Sequence, residues 1–227
     1  MPRQILAIGG MGFDSDCPTP QLDRYFLDLT GKTRPKLCLI PTASGDSLLR
    51  IARFNRAAAE QDCETTTIEL FRMTGENLRD KVMSQDAIYV SGGNTYNMLH
   101  LWKLWGLTDI LREAYEAGIV LGGVSAGANC WFDDCSTDSF GGPLGVMDCL
   151  GWLKGSFCPH LDSEPERRPK MMEFFAENKI REGYAADEMT GLLFQDEVYK
   201  ESVSDNVNNR TWRTTKDGFK ELLTRVL

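Results

Sequence analysis

Gly123-Val124-Ser125-Ala126-Gly127 fits the pattern G-x-S-x-G and closes the apolar run Ile119-Val120-Leu121. A buried strand that stops at a glycine pair, presents one serine and continues into small residues able to open a helix has the layout of a nucleophile elbow. Such a turn holds the serine hydroxyl out at the end of a sheet. Its small neighbours let a carbonyl approach, and the N–H groups and positive dipole end of the following helix face a developing oxyanion. The chemistry it suits is acyl transfer. Serine is a weak nucleophile at neutral pH and needs a base in contact, and the chain has two histidines. His100 stands mid-helix beside Leu99, Leu101 and Trp102, where packing or solvent explains it. His160 follows a predicted strand in Phe157-Cys158-Pro159-His160-Leu161-Asp162, on the strand-end rim that carries Ser125, and is the candidate base.

The base needs an acid to set its tautomer. Asp187 and Glu188 follow the short apolar stretch Gly183-Tyr184-Ala185-Ala186, and Asp133, Asp134 and Asp138 lie after the elbow; spacing leaves the choice open. Ser91-Gly92-Gly93-Asn94-Thr95 is a second glycine-rich turn that can supply an oxyanion donor. Gly9-Gly10-Met11-Gly12 lacks the last glycine of G-x-G-x-x-G, since Ser15 stands there, which argues against a dinucleotide cofactor. Cys130, five residues past the serine, occupies a helical position that suits packing better than nucleophilic attack.

The elements that must position these residues alternate. Strands are expected over Ile5–Ile8, Lys36–Ile40, Thr65–Leu70, Ala87–Val90 and the elbow run. Helices are expected over Pro20–Leu29, from Asp46 to about Gln61, after Asn94, and from Thr108 to Gly118. That order predicts an α/β fold of three layers, a mostly parallel sheet with helices on both faces, and ligands collect beyond the carboxyl ends of its strands. The turns at 91–94 and 122–127 both lie there and are expected to share one crevice. Asp133–Val146 is polar and glycine-rich and is expected to be a loop. A strand over Trp152–Cys158, a helix over Glu164–Ile180 and short strands to the end follow, all within one domain over residues 1–227. Leu101, Trp102 and Trp105 could bury a homodimer face or pack in the core.

Composition narrows the partners. The chain of 227 residues is 42% hydrophobic and carries a net charge of −8, which disfavours nucleic acid and anionic membrane. Its seven cysteines form no CxxC pair and are expected as free thiols in the cytoplasm. Neither histidine is spaced with them as a zinc set, so no metal is expected. Ile5–Ile8 is too short an apolar run for a signal peptide, and no 18-residue apolar stretch is present.

Four segments, Tyr89-Val90-Ser91-Gly92-Gly93-Asn94-Thr95, Gly123-Val124-Ser125-Ala126-Gly127-Ala128, Cys158-Pro159-His160-Leu161-Asp162 and Ala186-Asp187-Glu188-Met189-Thr190, carry a resemblance to the peptidase E family of serine peptidases, S51, which includes the cyanophycinases. The resemblance implies a fold like the class I glutamine amidotransferase domain, with Ser125 as nucleophile, His160 as base and Glu188 as third member. Asp138 stays as a second choice of acid. It also implies an oxyanion hole from the N–H groups of Gly93 and Ala126, substrate binding near Asn94, and no cofactor. The expected activity is hydrolysis of short peptides, including N-terminal aspartyl dipeptides, for whose carboxylate Arg167 or Arg168 would be the cation. The same residues would also serve an amidase or esterase on a non-peptide substrate, or remain in a non-catalytic binding protein.

Overall fold

The computed structural model describes residues 2–17, 19–73, 75 and 77–227. Its first half alternates as the apolar periodicity requires: β1 (Gln4–Ile8), α1 (Pro20–Asp28), β2 (Lys36–Ile40), α2 (Leu48–Ala59), β3 (Glu64–Thr67), α3 (Leu78–Met83), β4 (Ala87–Val90), α4 (Thr95–Leu104), α5 (Leu107–Glu116) and β5 (Val120–Val124). The five strands lie parallel in the order β1-β5-β4-β2-β3. Because side chains alternate along a strand, Leu6 and Ile8 meet Leu22 and Phe26 of α1 and Phe54 of α2 on one face. Ile5 and Ala7 join Val82 of α3, Met98 and Trp102 of α4 and Leu111 of α5 on the other. Each such side chain taken wholly from water stabilises the sheet by about 1.5–3 kcal/mol.

Two helix starts differ in detail from expectation. The second helix begins after Ser47, and Asp46 instead turns inward at φ 54° and accepts the Phe71 N–H at 2.8 Å. The fifth begins after Gly106 at φ 66°, a left-handed position that glycine adopts without strain and that leaves Thr108 inside the helix.

The second half is where the structure departs from the sequence expectation. After α6 (Ala126–Asn129) come β6 (Phe132–Thr137), β7 (Gly145–Asp148), β8 (Leu153–Cys158), α7 (Arg167–Ala176), β9 (Gly183–Ala186), β10 (Thr190–Gln195), β11 (Val198–Ser204), β12 (Thr211–Thr215), β13 (Gly218–Leu222) and β14 (Thr224–Val226). Strands β10, β11 and β14 extend the first sheet to eight, with β10 antiparallel to β1. The others form a second, six-stranded sheet ordered β13-β12-β9-β8-β6-β7. The expected loop at 133–146 is therefore a hairpin at the edge of that sheet. Its polar look misleads because the buried Asp134 and Ser136 are paired inside the fold, with Arg181 and Arg167. Phe132 and Phe157 of the second sheet stack at 5.0 Å and join the core beneath the first, while Met171, Phe174 and Phe175 of α7 cover its other side.

Candidate active site

Ser125 caps β5 in the centre of the first sheet and opens α6 at φ 54°, ψ −111°, a strained pair of angles for a residue with a side chain. The chain can turn so sharply because its neighbours lack side chains. A methyl on Gly123 would lie 2.5 Å from the Val90 carbonyl oxygen, and one on Gly127 would overlap that same oxygen. The Ser125 N–H is tied to Ile8 O at 3.0 Å, which anchors the turn to β1.

His160 stands two residues past β8, at φ 56°, so it comes from the second sheet. Its Nε2 lies 2.8 Å from Ser125 Oγ and its Nδ1 2.7 Å from Glu188 Oε1. With the proton on Nδ1, the ring donates to Glu188 and accepts from the serine hydroxyl, which is the tautomer a base requires. Glu188 sits where the chain passes from β9 in one sheet to β10 in the other. The crossing is pinned on both sides. Glu188 N–H donates to Asp162 Oδ1 at 2.8 Å, Asn209 Nδ2 donates to Glu188 O at 2.7 Å, and Met189 N–H donates to Gly10 O at 3.0 Å. Ser163 Oγ also donates to Glu188 Oε1, at 2.8 Å. Burial pushes the Glu188 carboxyl up, but the hydrogen bond and charge of His160, helped by Ser163, outweigh it and hold the group below the usual carboxylate range.

The other acids are engaged elsewhere. Asp187 accepts Arg210 N–H at 2.8 Å and Trp212 Nε1–H at 3.2 Å, and burial pushes its carboxyl up. Asp133 holds Gly155 N–H and Lys154, Asp134 holds Arg181, and Asp138 is exposed at the hairpin end. His100 is exposed on α4, its ring tilted against Tyr96 and its Nδ1 2.9 Å from Tyr96 O. The Cys130 thiol is buried against Gly127 O, and burial raises it well above its ordinary value. Trp102 is in the core, its indole N–H donating to Thr42 Oγ1, while Trp105 is exposed.

Both glycine turns face one cleft of about 310 Å³, whose lining includes Gly92, Gly93, Val124, Ser125 and His160. Gly93 has φ 139°, and neither its N–H nor that of Ala126 donates to a protein acceptor among the described residues. Asn94 does not line the cleft. Its side chain caps α4 by accepting Asn97 N–H at 2.8 Å and donates to Ser139 O at 2.8 Å. Arg167 is buried against Glu164 and Ser136, and Arg168 stacks on Trp212 with 4.2 Å to the ring centre; neither reaches the cleft. The cations that do line it are Arg50 and Arg53 of α2. Sequence reasoning missed them because nothing in the α2 stretch distinguishes a cleft-facing pair from a solvated basic face.

A central strand ending in a strained serine, a histidine and a carboxylate from a second sheet, and a glycine turn opposite define a hydrolase-type site on a two-sheet α/β fold. Residues 5–201 match the sequence profile of peptidase family S51, and the chain belongs to that family of peptidases. It is 44% identical over 211 residues to YgaJ, an uncharacterised peptidase of Bacillus subtilis (strain 168), covering 93% of this chain and 91% of that one. Peptidase E of Streptomyces coelicolor is 25% identical over 158 residues, 64% of this chain and 62% of its own. Among solved structures, a peptidase from an acI-B1 actinobacterium superposes with a TM-score of 0.75 at 17% identity, over 99% of this chain and 95% of the other. A putative peptidase E protein of Listeria monocytogenes EGD-e gives 0.65, also at 17%, over 95% and 100%.

Proposed function

We propose that this chain is a serine peptidase that cleaves short peptides through an acyl-enzyme on Ser125. The observation that carries it is the continuous hydrogen-bond chain from Ser125 Oγ through His160 to Glu188, 2.8 and 2.7 Å, lining the cleft. As the serine oxygen bonds to the scissile carbonyl carbon, its proton passes to His160 Nε2, and Glu188 stabilises the imidazolium that results. The N–H groups of Gly93 and Ala126 take the tetrahedral oxyanion. His160 returns the proton to the departing amine, and a water activated by the same ring then releases the acyl group. The cleft is at the small end of ligand sites, which suits a peptide of a few residues. Free thiols throughout the chain suit a cytoplasmic setting; among the described residues no helix is long and apolar enough to cross a membrane.

The test is hydrolysis of a dipeptide panel, Asp-Xaa members included, by wild type and Ser125→Ala. The variant should keep its fold and lose about 10³-fold or more in kcat, and a fluorophosphonate should label Ser125 in the wild type alone. Undiminished turnover by Ser125→Ala rules the assignment out.

A further inference from the structure

Arg50 and Arg53 stand one turn apart on α2 and line the cleft that holds Ser125 and His160. Their protein partners leave both guanidinium groups under-used. Arg50 reaches Asp14 O and Asp14 Oδ2, both at 3.4 Å and both from Nη1, which leaves its other two nitrogens without a protein hydrogen bond among the described residues. That is the outer limit of a hydrogen bond. Asp14 is itself fully buried, and the same Oδ2 already accepts from the Ser91 hydroxyl. Arg53 pairs with Asp16, whose side chain is 77% exposed, and an ion pair so open to water is weak and readily exchanged. Two guanidinium groups on one helix, each with N–H groups not used by a protein acceptor among the described residues, line the serine's cleft beside Asp16 and can take the two oxygens of a further carboxylate.

We infer that Arg50 and Arg53 form the subsite that takes a carboxylate of the peptide substrate, and so set which peptides the cleft accepts. The inference deepens the serine peptidase assignment and rests on it for the nature of the ligand. The carboxylate could be the peptide's own terminus or an acidic side chain, and both present the same planar anion. Asp16 would release Arg53 to the incoming group, while Asp14 keeps Arg50 aimed, because it cannot leave the interior.

The experiment separates the carboxylate sources and the two claims. Binding of Ala-Ala, Ala-Ala amide and Asp-Ala amide to Ser125→Ala is measured by calorimetry, with and without Arg50→Gln and Arg53→Gln. Ala-Ala has only a terminal carboxylate, Asp-Ala amide only a side-chain one, and Ala-Ala amide neither. At least one carboxylate-bearing peptide should bind tenfold or more above Ala-Ala amide, and the double substitution should erase that preference, a loss of about ten- to a hundred-fold. Tighter Ala-Ala assigns the terminus and tighter Asp-Ala amide the side chain. Equal binding of all three, no binding, or a preference that survives the double substitution overturns the inference. Should loss of the Arg50–Asp14 pair impair folding, Arg53→Gln alone still decides, with at least a threefold loss expected and an unchanged preference counting against. Turnover of the same peptides by the chain with Ser125 intact distinguishes the failures. Arginine-dependent binding without turnover removes the peptidase assignment alone, and serine-dependent turnover with arginine-independent binding removes this subsite alone.

Discussion

Gly10 lies directly against Glu188: a methyl group in place of its hydrogen would overlap Glu188 Oε2 and stand 2.7 Å from His160 Nδ1. The turn after β1 is therefore the back wall of the acid–histidine pair. Gly10→Ala should push the carboxylate off Nδ1 and lower kcat by about 100-fold, the usual cost of misplacing a catalytic group by an ångström. Melting temperature and kcat, measured together, check this; wild-type kcat in a folded Gly10→Ala protein would show that the wall has no role in catalysis.

Glu188 and Asp138 can be told apart as the acid by their partners. Glu188→Gln keeps the shape but offers an amide to Nδ1, favouring the tautomer that cannot accept the serine proton, and kcat should fall by about 10²–10⁴-fold. Asp138→Asn, at an exposed position that makes no hydrogen bond to His160 among the described residues, should change kcat less than twofold. Steady-state kinetics on one dipeptide settles both, and a reversed pattern would move the acid to the hairpin.

What was legible in the sequence follows from where local chemistry is unambiguous. Ser125 stood out because its five-residue pattern falls between a predicted strand and helix, and of two histidines His160 was the one at a strand end, where it does hydrogen-bond to Ser125. Strands β1, β2, β4 and β5 were visible because they are largely apolar and buried, and β3, which is polar and partly exposed, because its threonines are β-branched. The second sheet was not, because β6 buries Asp134 and Ser136, whose partners Arg181 and Arg167 lie more than 30 residues away. Arg50, Arg53 and Gly10 were missed for a related reason: each meets the cleft or its lining through residues far along the chain, and a turn compared only with a dinucleotide fingerprint does not reveal that it backs Glu188.

Gly93 cannot carry a side chain without moving the turn at 91–94. Its φ of 139° is open to glycine, and a methyl there would overlap the Ala43 carbonyl. Gly93→Ala should lower the melting temperature and reduce kcat by about 10²–10³-fold, the range for losing one oxyanion donor, with KM little changed. A kcat within threefold of wild type would mean that this N–H does not face the oxyanion.

Arg167 is a structural cation. It is 4% exposed, ties Glu164 to the Ser136 strand and lies outside the cleft. Arg167→Ala should destabilise the protein by about 2 kcal/mol through a broken charge-assisted hydrogen bond, while KM for dipeptides stays within twofold. Urea unfolding and Michaelis kinetics read these separately, and a raised KM at unchanged stability would return Arg167 to substrate binding.

Asp23 is buried beneath the first glycine turn and accepts a hydrogen bond from Thr19 at 3.1 Å. Burial pushes its carboxyl up to about 8, against the Thr19 bond and with help from the nearby charges of Asp205 and Asp14. In the unfolded chain the same group titrates near 3.9. Between those values the folded protein holds a proton that the unfolded chain has released, so raising the pH favours unfolding. Stability should fall from about pH 4 to pH 8 with a slope of about 1.4 kcal/mol per pH unit for this one proton, and the loss is complete above the folded value. Asn accepts the Thr19 bond without titrating. Asp23→Asn should therefore flatten this slope and be the more stable protein at pH 9, by roughly 5 kcal/mol, the slope taken over about four pH units. Urea unfolding of both proteins at pH 5, 7 and 9 measures it; parallel curves would mean that Asp23 is already ionised in the fold at neutral pH.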